Sequence, residues 1–126
     1  MMEIRIKRAY EEAARSDGPR ILVDRIWPRG VAKEDAELET WLKGLAPSTE
    51  LRKWFGHDPE KWNEFRQRYL KELKTSGAAE DLEKLQSIVK EHKRITLVFA
   101  AKDTEHNNAA ALRDFLDNGD LGNGDL

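Results

Sequence analysis

A chain of 126 residues suits one domain and leaves little room for two. With 37% charged residues, a mean hydropathy of -0.77 and a net charge of -2, it reads as a heavily solvated globular protein. Its overall field draws it onto neither nucleic acid nor an anionic membrane, and the lack of cysteine excludes disulfides, thiolate metal sites and thiol nucleophiles together.

No window approaches the roughly twenty apolar residues of a membrane span. The N-terminus lacks the apolar stretch of a secretory signal, so a cytoplasmic protein is the expectation. In chain order, "EIRIKRA" puts Ile4 and Ile6 on one face of a first strand. "YEEAARSDGP" reads as a short helical turn or irregular connection closed by Asp17, Gly18 and Pro19. "RILVDRI" is a second strand, nearly continuous in apolar residues, as expected when both faces are covered.

After Gly30 the period becomes helical. Leu38, Trp41, Leu42 and Leu45 share one face, with Gly44 near the stop. "PSTELRKWFG" is a short helix capped by Ser48 or Thr49 and terminated by Gly56. The next helix takes Asp58 as cap and Pro59 at its first position. It carries the stripe Trp62, Phe65, Tyr69 and Leu73, and is expected to end at Ser76 and Gly77. Leu82, Leu85, Val89 and His92 mark a further helix, with His92 at its C-terminal dipole.

"RITLVFAA" is apolar apart from Arg94 and Thr96 and is therefore a central strand. Thr104 then caps a last helix carrying Ala109, Leu112 and Leu116, and residues 118–126 form a Gly/Asn/Asp-rich tail without structure. The expected fold is a single α/β domain over residues 1–117: a mainly parallel sheet of three or four strands, flanked by helices, with a helical middle segment. Trp41, Trp62, Phe65, Tyr69, Leu73 and Phe99 are the expected core.

Two polar clusters follow strands directly, "DRIWPRG" and "AAKDTEHNNAAAL". Ligands of parallel α/β sheets bind outside the carboxyl ends of strands. If the two strands are parallel neighbours, the clusters converge. Arg25 and Arg29 are then anion clamps, because a guanidinium fork matches carboxylate and phosphate geometry. Lys102 adds a point charge, and a helix start at Thr104 offers free N–H groups and a positive dipole end. His106 is the proton-transfer group of the cluster, oriented by Asp103. Asn107 and Asn108 are poor helix formers whose amides would orient the ligand.

Each cluster also has a plain structural reading. Asp24 and Arg25 would form a buried pair beside a core Trp27, and Asp103 or Thr104 would merely cap a helix with the Asn pair bonding locally. In "WFGHDPEKW", His57 and Asp58 form either a proton-transfer pair or, more simply, a helix stop followed by a helix start. No two histidines have a helical ligand spacing, so no metal site is expected. Walker, Rossmann and Gly-x-Ser-x-Gly motifs are absent, and no cofactor is implied.

Three longer segments carry a resemblance. "LVDRIWPRGV", "WLKGLAPSTELRKWFGHDPEKWNEFRQRY" and "AAKDTEHNNAAAL", in that order, resemble the YeaO-like family of small uncharacterised bacterial proteins, a domain of unknown function. The resemblance covers about residues 2 to 117. It implies a single α/β domain, a prokaryotic cytoplasmic setting and no established activity. More distant relatives have a Cys-His-Arg loop where this chain has "HNNA", so cysteine chemistry is not carried over.

The functional expectation is a small anionic or phosphate-bearing ligand, nucleotides included, held at the strand carboxyl ends. Any turnover would be hydrolysis or group transfer without a cysteine nucleophile. The alternative is a non-catalytic protein-interaction module anchored by Trp54 or Trp62. Nucleic acid is disfavoured as a partner, because no basic stripe is present. Neither the oligomeric state nor the strand order is encoded in these patterns.

Overall fold

The computed structural model describes residues 3–121. Four strands, β1 (Glu3–Arg8), β2 (Arg20–Leu22), β3 (Thr40–Trp41) and β4 (Arg94–Phe99), form one sheet in the order β1-β4-β2-β3. Every pairing is parallel, so the fold is α/β as expected. β4 lies between β1 and β2, with Ile95 opposite Ile4 and Leu97 opposite Ile21. That position accounts for its composition, since a strand covered on both faces has no solvent side for polar residues.

Strand alternation divides the core. Ile95, Leu97 and Phe99 join Ile21, Val23, Tyr69 and Leu112 on one face. Val98 and Leu22 turn to the other, where Trp27, Val31, Leu38 and Trp41 pack against them.

Among the described residues there are five α-helices: α1 (Lys33–Ala36), α2 (Thr49–Phe55), α3 (Trp62–Leu73), α4 (Ser76–Glu91) and α5 (Asn108–Asn118). Ser48 caps α2, its Oγ accepting the Leu51 N–H at 3.1 Å, and Gly56 ends it in the left-handed conformation at φ 54. Asp58 caps a 3-10 turn at Pro59–Lys61, which runs into α3. His92 follows α4, with Nδ1 2.9 Å from the Ile88 carbonyl. Phe65, Tyr69, Leu73 and Phe99 are fully buried, whereas Trp41 and Trp62 are only half-buried. Trp41 donates Nε1 to the Asp24 carbonyl at 2.7 Å, an anchor that keeps one end of its ring at the sheet edge.

The connection into β2 is fixed from inside. Asp17, in a 3-10 turn at Arg15–Asp17, accepts from Arg20 Nη1 at 2.7 Å, Lys7 Nζ at 3.2 Å and the Ala14 N–H at 3.0 Å. Burial alone would raise its pKa. The Ala14 N–H and the two cations outweigh that and hold the carboxyl below its usual range. Gly18 follows at φ 64, and a Cβ there would lie 2.4 Å from the Arg94 carbonyl oxygen, so glycine alone fits.

Four expectations need correction. The helix expected over residues 38–45 is instead β3 followed by a 3-10 turn at Lys43–Leu45. Glu37, at φ 45, stops α1, and the Glu39 and Leu42 N–H groups donate to the Arg20 and Leu22 carbonyls at 2.7 and 2.9 Å. The open edge of β2 therefore takes this segment. Ser76 and Gly77 do not end α3 but open α4; α3 stops at Leu73. α5 starts at Asn108 under an Asn107 cap, four residues beyond Thr104. Its helix continues through Asn118, and Leu121 packs partly buried against the core, so chain order does not stop at 117. The remainder of the expected tail, 122–126, lies outside the described residues.

Candidate functional site

At the carboxyl ends of β2 and β4 the chain opens into a cavity of about 610 Å³, within the usual size of small-molecule sites. Parallel pairing of these two strands brings the two polar clusters together. The connection is made by Asp24, which leaves β2 and turns inward. Its Oδ2 accepts the Ala100 N–H at 2.9 Å, just past β4, and its Oδ1 accepts from Asn108 Nδ2 at 3.0 Å, at the start of α5. Asn108 Nδ2 also donates to the Val23 carbonyl at 2.9 Å. The expected Asp24–Arg25 pair is thus replaced by a tie between β2, β4 and α5. Burial pushes the Asp24 carboxyl above its ordinary pKa, against the lowering effect of Asn108, the Ala100 N–H and Arg52.

The loop between β4 and α5 is organised by its own side chains. Asp103 Oδ1 accepts from the N–H groups of Glu105 and His106, both at 2.9 Å, and its Oδ2 lies 3.0 Å from His106 Nδ1. The two backbone donors, His106 first, hold the Asp103 carboxyl below its usual range, so it stays ionised. With Nδ1 donating to that carboxylate, a neutral His106 keeps its lone pair on Nε2. The ring meets Trp62 edge-on, with centroids 5.3 Å apart. Asn107, buried, caps α5 by accepting the Ala110 N–H at 2.8 Å and donates Nδ2 to the Asp103 carbonyl at 2.9 Å.

Arg25, Lys102, Asp103, His106, Asn107 and Asn108 all line the cavity. Arg29 and Thr104 do not. Arg29 is exposed in the turn at Gly30, whose φ is 80, and Thr104 is exposed on the outside of the loop. Both amide N–H groups of Asn108 and one of the two on Asn107 are committed to the fold. Arg25 is exposed at the rim, with one long contact of 3.4 Å from Nη2 to the Ala46 carbonyl.

The middle segment supplies residues that sequence reasoning did not place here. Arg52 and Phe55, three apart on one face of α2, reach the cavity together with His57, Ala46, Pro47 and Phe65. Phe55 stacks on Phe65 with centroids 4.4 Å apart and makes an apolar wall. His57 follows the Gly56 cap at φ 59, while Asp58 is engaged with the Glu60 N–H, so these two do not act as a pair. The helical spacing of Arg52 and Phe55 was the available signal.

Trp54 is packed between the cations of Lys61 and Arg68, at 5.1 and 4.3 Å from its ring centroid, and Trp62 against Phe55 and Phe65. Neither stands free as an interface anchor. Among the described residues no group of three or more His, Asp and Glu is arranged to hold a metal ion, and no helix is long and apolar enough to cross a membrane.

Comparison with known proteins places the chain among relatives without a described activity. It is 44% identical over 115 residues to the uncharacterised protein YeaO of Escherichia coli, covering 91% of this chain and 97% of the relative. It is 42% identical over 113 residues to the uncharacterised protein Rv3073c of Mycobacterium tuberculosis, covering 90% and 92%. No solved structure matches it. The family model of the inactive DUF488-N3 subclade matches residues 3–121, and with the whole fold and the cavity-lining loops inside that span, the chain belongs to this family.

Proposed function

We propose that the chain is a small-ligand binding protein that holds an anionic, carboxylate- or phosphate-bearing molecule in the cavity at the carboxyl ends of β2 and β4. The observation that carries this reading is the convergence of three cations, Arg25, Arg52 and Lys102, from three separate segments onto one cavity. Such clustering costs mutual repulsion and is offset by an anion. Asp24 and Asp103 line the same cavity and offset part of that charge, so three cations against two carboxylates leave one positive charge in excess for a ligand anion to balance.

Retention of the ligand is favoured over its turnover. The family is described as inactive, and the chain has no cysteine to act as nucleophile. One observation favours a second reading, hydrolysis or group transfer with His106 as proton acceptor: Asp103 orients its ring at 3.0 Å. Incubating the protein with an activated ester of each bound anion separates the two, because only turnover releases more than one equivalent of product per protein above the protein-free rate.

The test of binding is a thermal-shift screen of carboxylates, phosphates and nucleotides. At a hundredfold excess over Kd a ligand adds about 2.7 kcal/mol, a shift on the order of 10 °C for a chain of this size. Arg52→Ala and Arg25→Ala should abolish the shift, and Arg29→Ala should keep it. A shift lost only in Arg29→Ala moves the site elsewhere.

A further inference from the structure

Resting on the cavity as the binding site, we propose that its ligand is an organic anion with a flat apolar body, and not a bare oxyanion. Three features of the cavity define this ligand class.

The first concerns the donors that a bare phosphate would need. A loop that cradles phosphate does so with free backbone N–H groups. Here the Glu105 and His106 N–H groups go to Asp103, Ala110 to Asn107, and Ala100 to Asp24. The protein's own side chains stand where a bound oxyanion would sit. An anion is therefore gripped by side-chain cations.

The second is where those cations lie. Arg25, Arg52 and Lys102 are all exposed, at the mouth. The wall behind them is the stacked pair Phe55 and Phe65, only 4% and 2% exposed, beside Pro47 and Ala101. A hydrated oxyanion gains nothing from that wall, whereas an aromatic ring buries its faces there while its charged group stays at the mouth.

The third is Asp24, whose carboxyl closes the end of β2 and faces the same cavity. A carboxyl there repels an oxyanion that penetrates beyond the mouth and accepts from a hydroxyl or amino group on the ring. The ligand is thereby ordered from mouth to interior as anionic group, ring and hydrogen-bond donor.

Isothermal titration with two matched pairs tests this: phenyl phosphate against inorganic phosphate, and phenylacetate against acetate. The aryl member of each pair should bind at least tenfold tighter. Arg52→Ala should weaken both members alike, since they share the anionic group. Ala101→Leu fills the apolar space without removing a cation, and should weaken only the aryl members; circular dichroism confirms that each variant is folded. Equal affinity within each pair, with Arg52 still required, overturns the ring and leaves the anion site standing. Absence of binding by all four probes, or binding indifferent to Arg25→Ala and Arg52→Ala, overturns both.

Discussion

Replacing Asp17 by alanine is the sharpest test of what holds the sheet in place. The carboxylate and the Arg20 guanidinium are both almost wholly buried, with side-chain exposures of 5% and 4%, and meet at 2.7 Å. Removing one partner strands the other as an uncompensated charge, which costs about 3–5 kcal/mol. Arg20 Nη2 is already buried and finds no hydrogen-bond partner among the described residues, so no second acceptor stands ready to replace the carboxylate. The loss also frees the Ala14 N–H and Lys7, which places the expected cost toward the upper end. With urea slopes of about 1–3 kcal/mol per M, the unfolding midpoint should fall by more than about 1 M. Asp17→Ala combined with Arg20→Met should cost less than the sum of the single changes, because the guanidinium is then no longer a buried unpaired charge; the unpaired Lys7 and the loss of the Arg20 Nε donation to Ala36 O, 2.8 Å, keep it from full recovery. Additive costs, or a single-variant loss below about 1 kcal/mol, would refute the reasoning.

Three further outcomes are expected. Phe65→Ala should cost about 3–5 kcal/mol in denaturant unfolding, because the ring is buried between Phe55, Trp62 and Tyr69; a loss below about 1 kcal/mol would contradict its packing. Gly18→Ala should destabilise by more than about 1 kcal/mol, since the added Cβ meets the Arg94 carbonyl and the φ is positive; a neutral result in thermal unfolding would contradict the close approach. Asp24, with its pKa raised by burial, contributes stability that is full below the ordinary carboxylate pKa of about 3.9 and is lost as pH rises through its folded value. Asp17, held low, contributes with the opposite sign and is lost as pH falls. Asp24→Asn should therefore flatten the decline in stability above about pH 4, as read from unfolding midpoints across a pH series, and an unchanged slope would assign that decline to other groups.

Much of the fold was legible because local signals and tertiary packing agreed. Five residues of β4 in a row, Ile95 to Phe99, are buried and suit a strand with no solvent face, and Ser48, Gly56 and Asp58 cap where caps were expected. Residues 38–45 misled because Leu38, Trp41, Leu42 and Leu45 fit a helical stripe equally well. In the structure they divide between two cores on opposite sheet faces, a division set by the open edge of β2 that no local pattern reports.

The meeting of the two polar clusters followed from strand adjacency, and six of the residues expected at the site do line one cavity. Arg29 departs from it because the turn at Gly30 carries it outward. Arg52 and His57 arrive through the packing of α2 against α3, a contact distant from both clusters in sequence. Asp24 was hidden by its neighbour, since an acid beside Arg25 reads as half of a local ion pair when its partners lie 76 and 84 residues away.

The central claim is that the cavity between the ends of β2 and β4 is where the molecule meets its ligand. Amide chemical-shift mapping by two-dimensional NMR during a phenyl phosphate titration tests it most directly. The expected perturbations fall at residues 24–25, 52–57 and 100–108, from three segments that meet only at this cavity, and they vanish in Arg52→Ala. Perturbations confined instead to the groove formed by Trp54, Arg68 and Glu72, with 100–108 unmoved, would contradict the account.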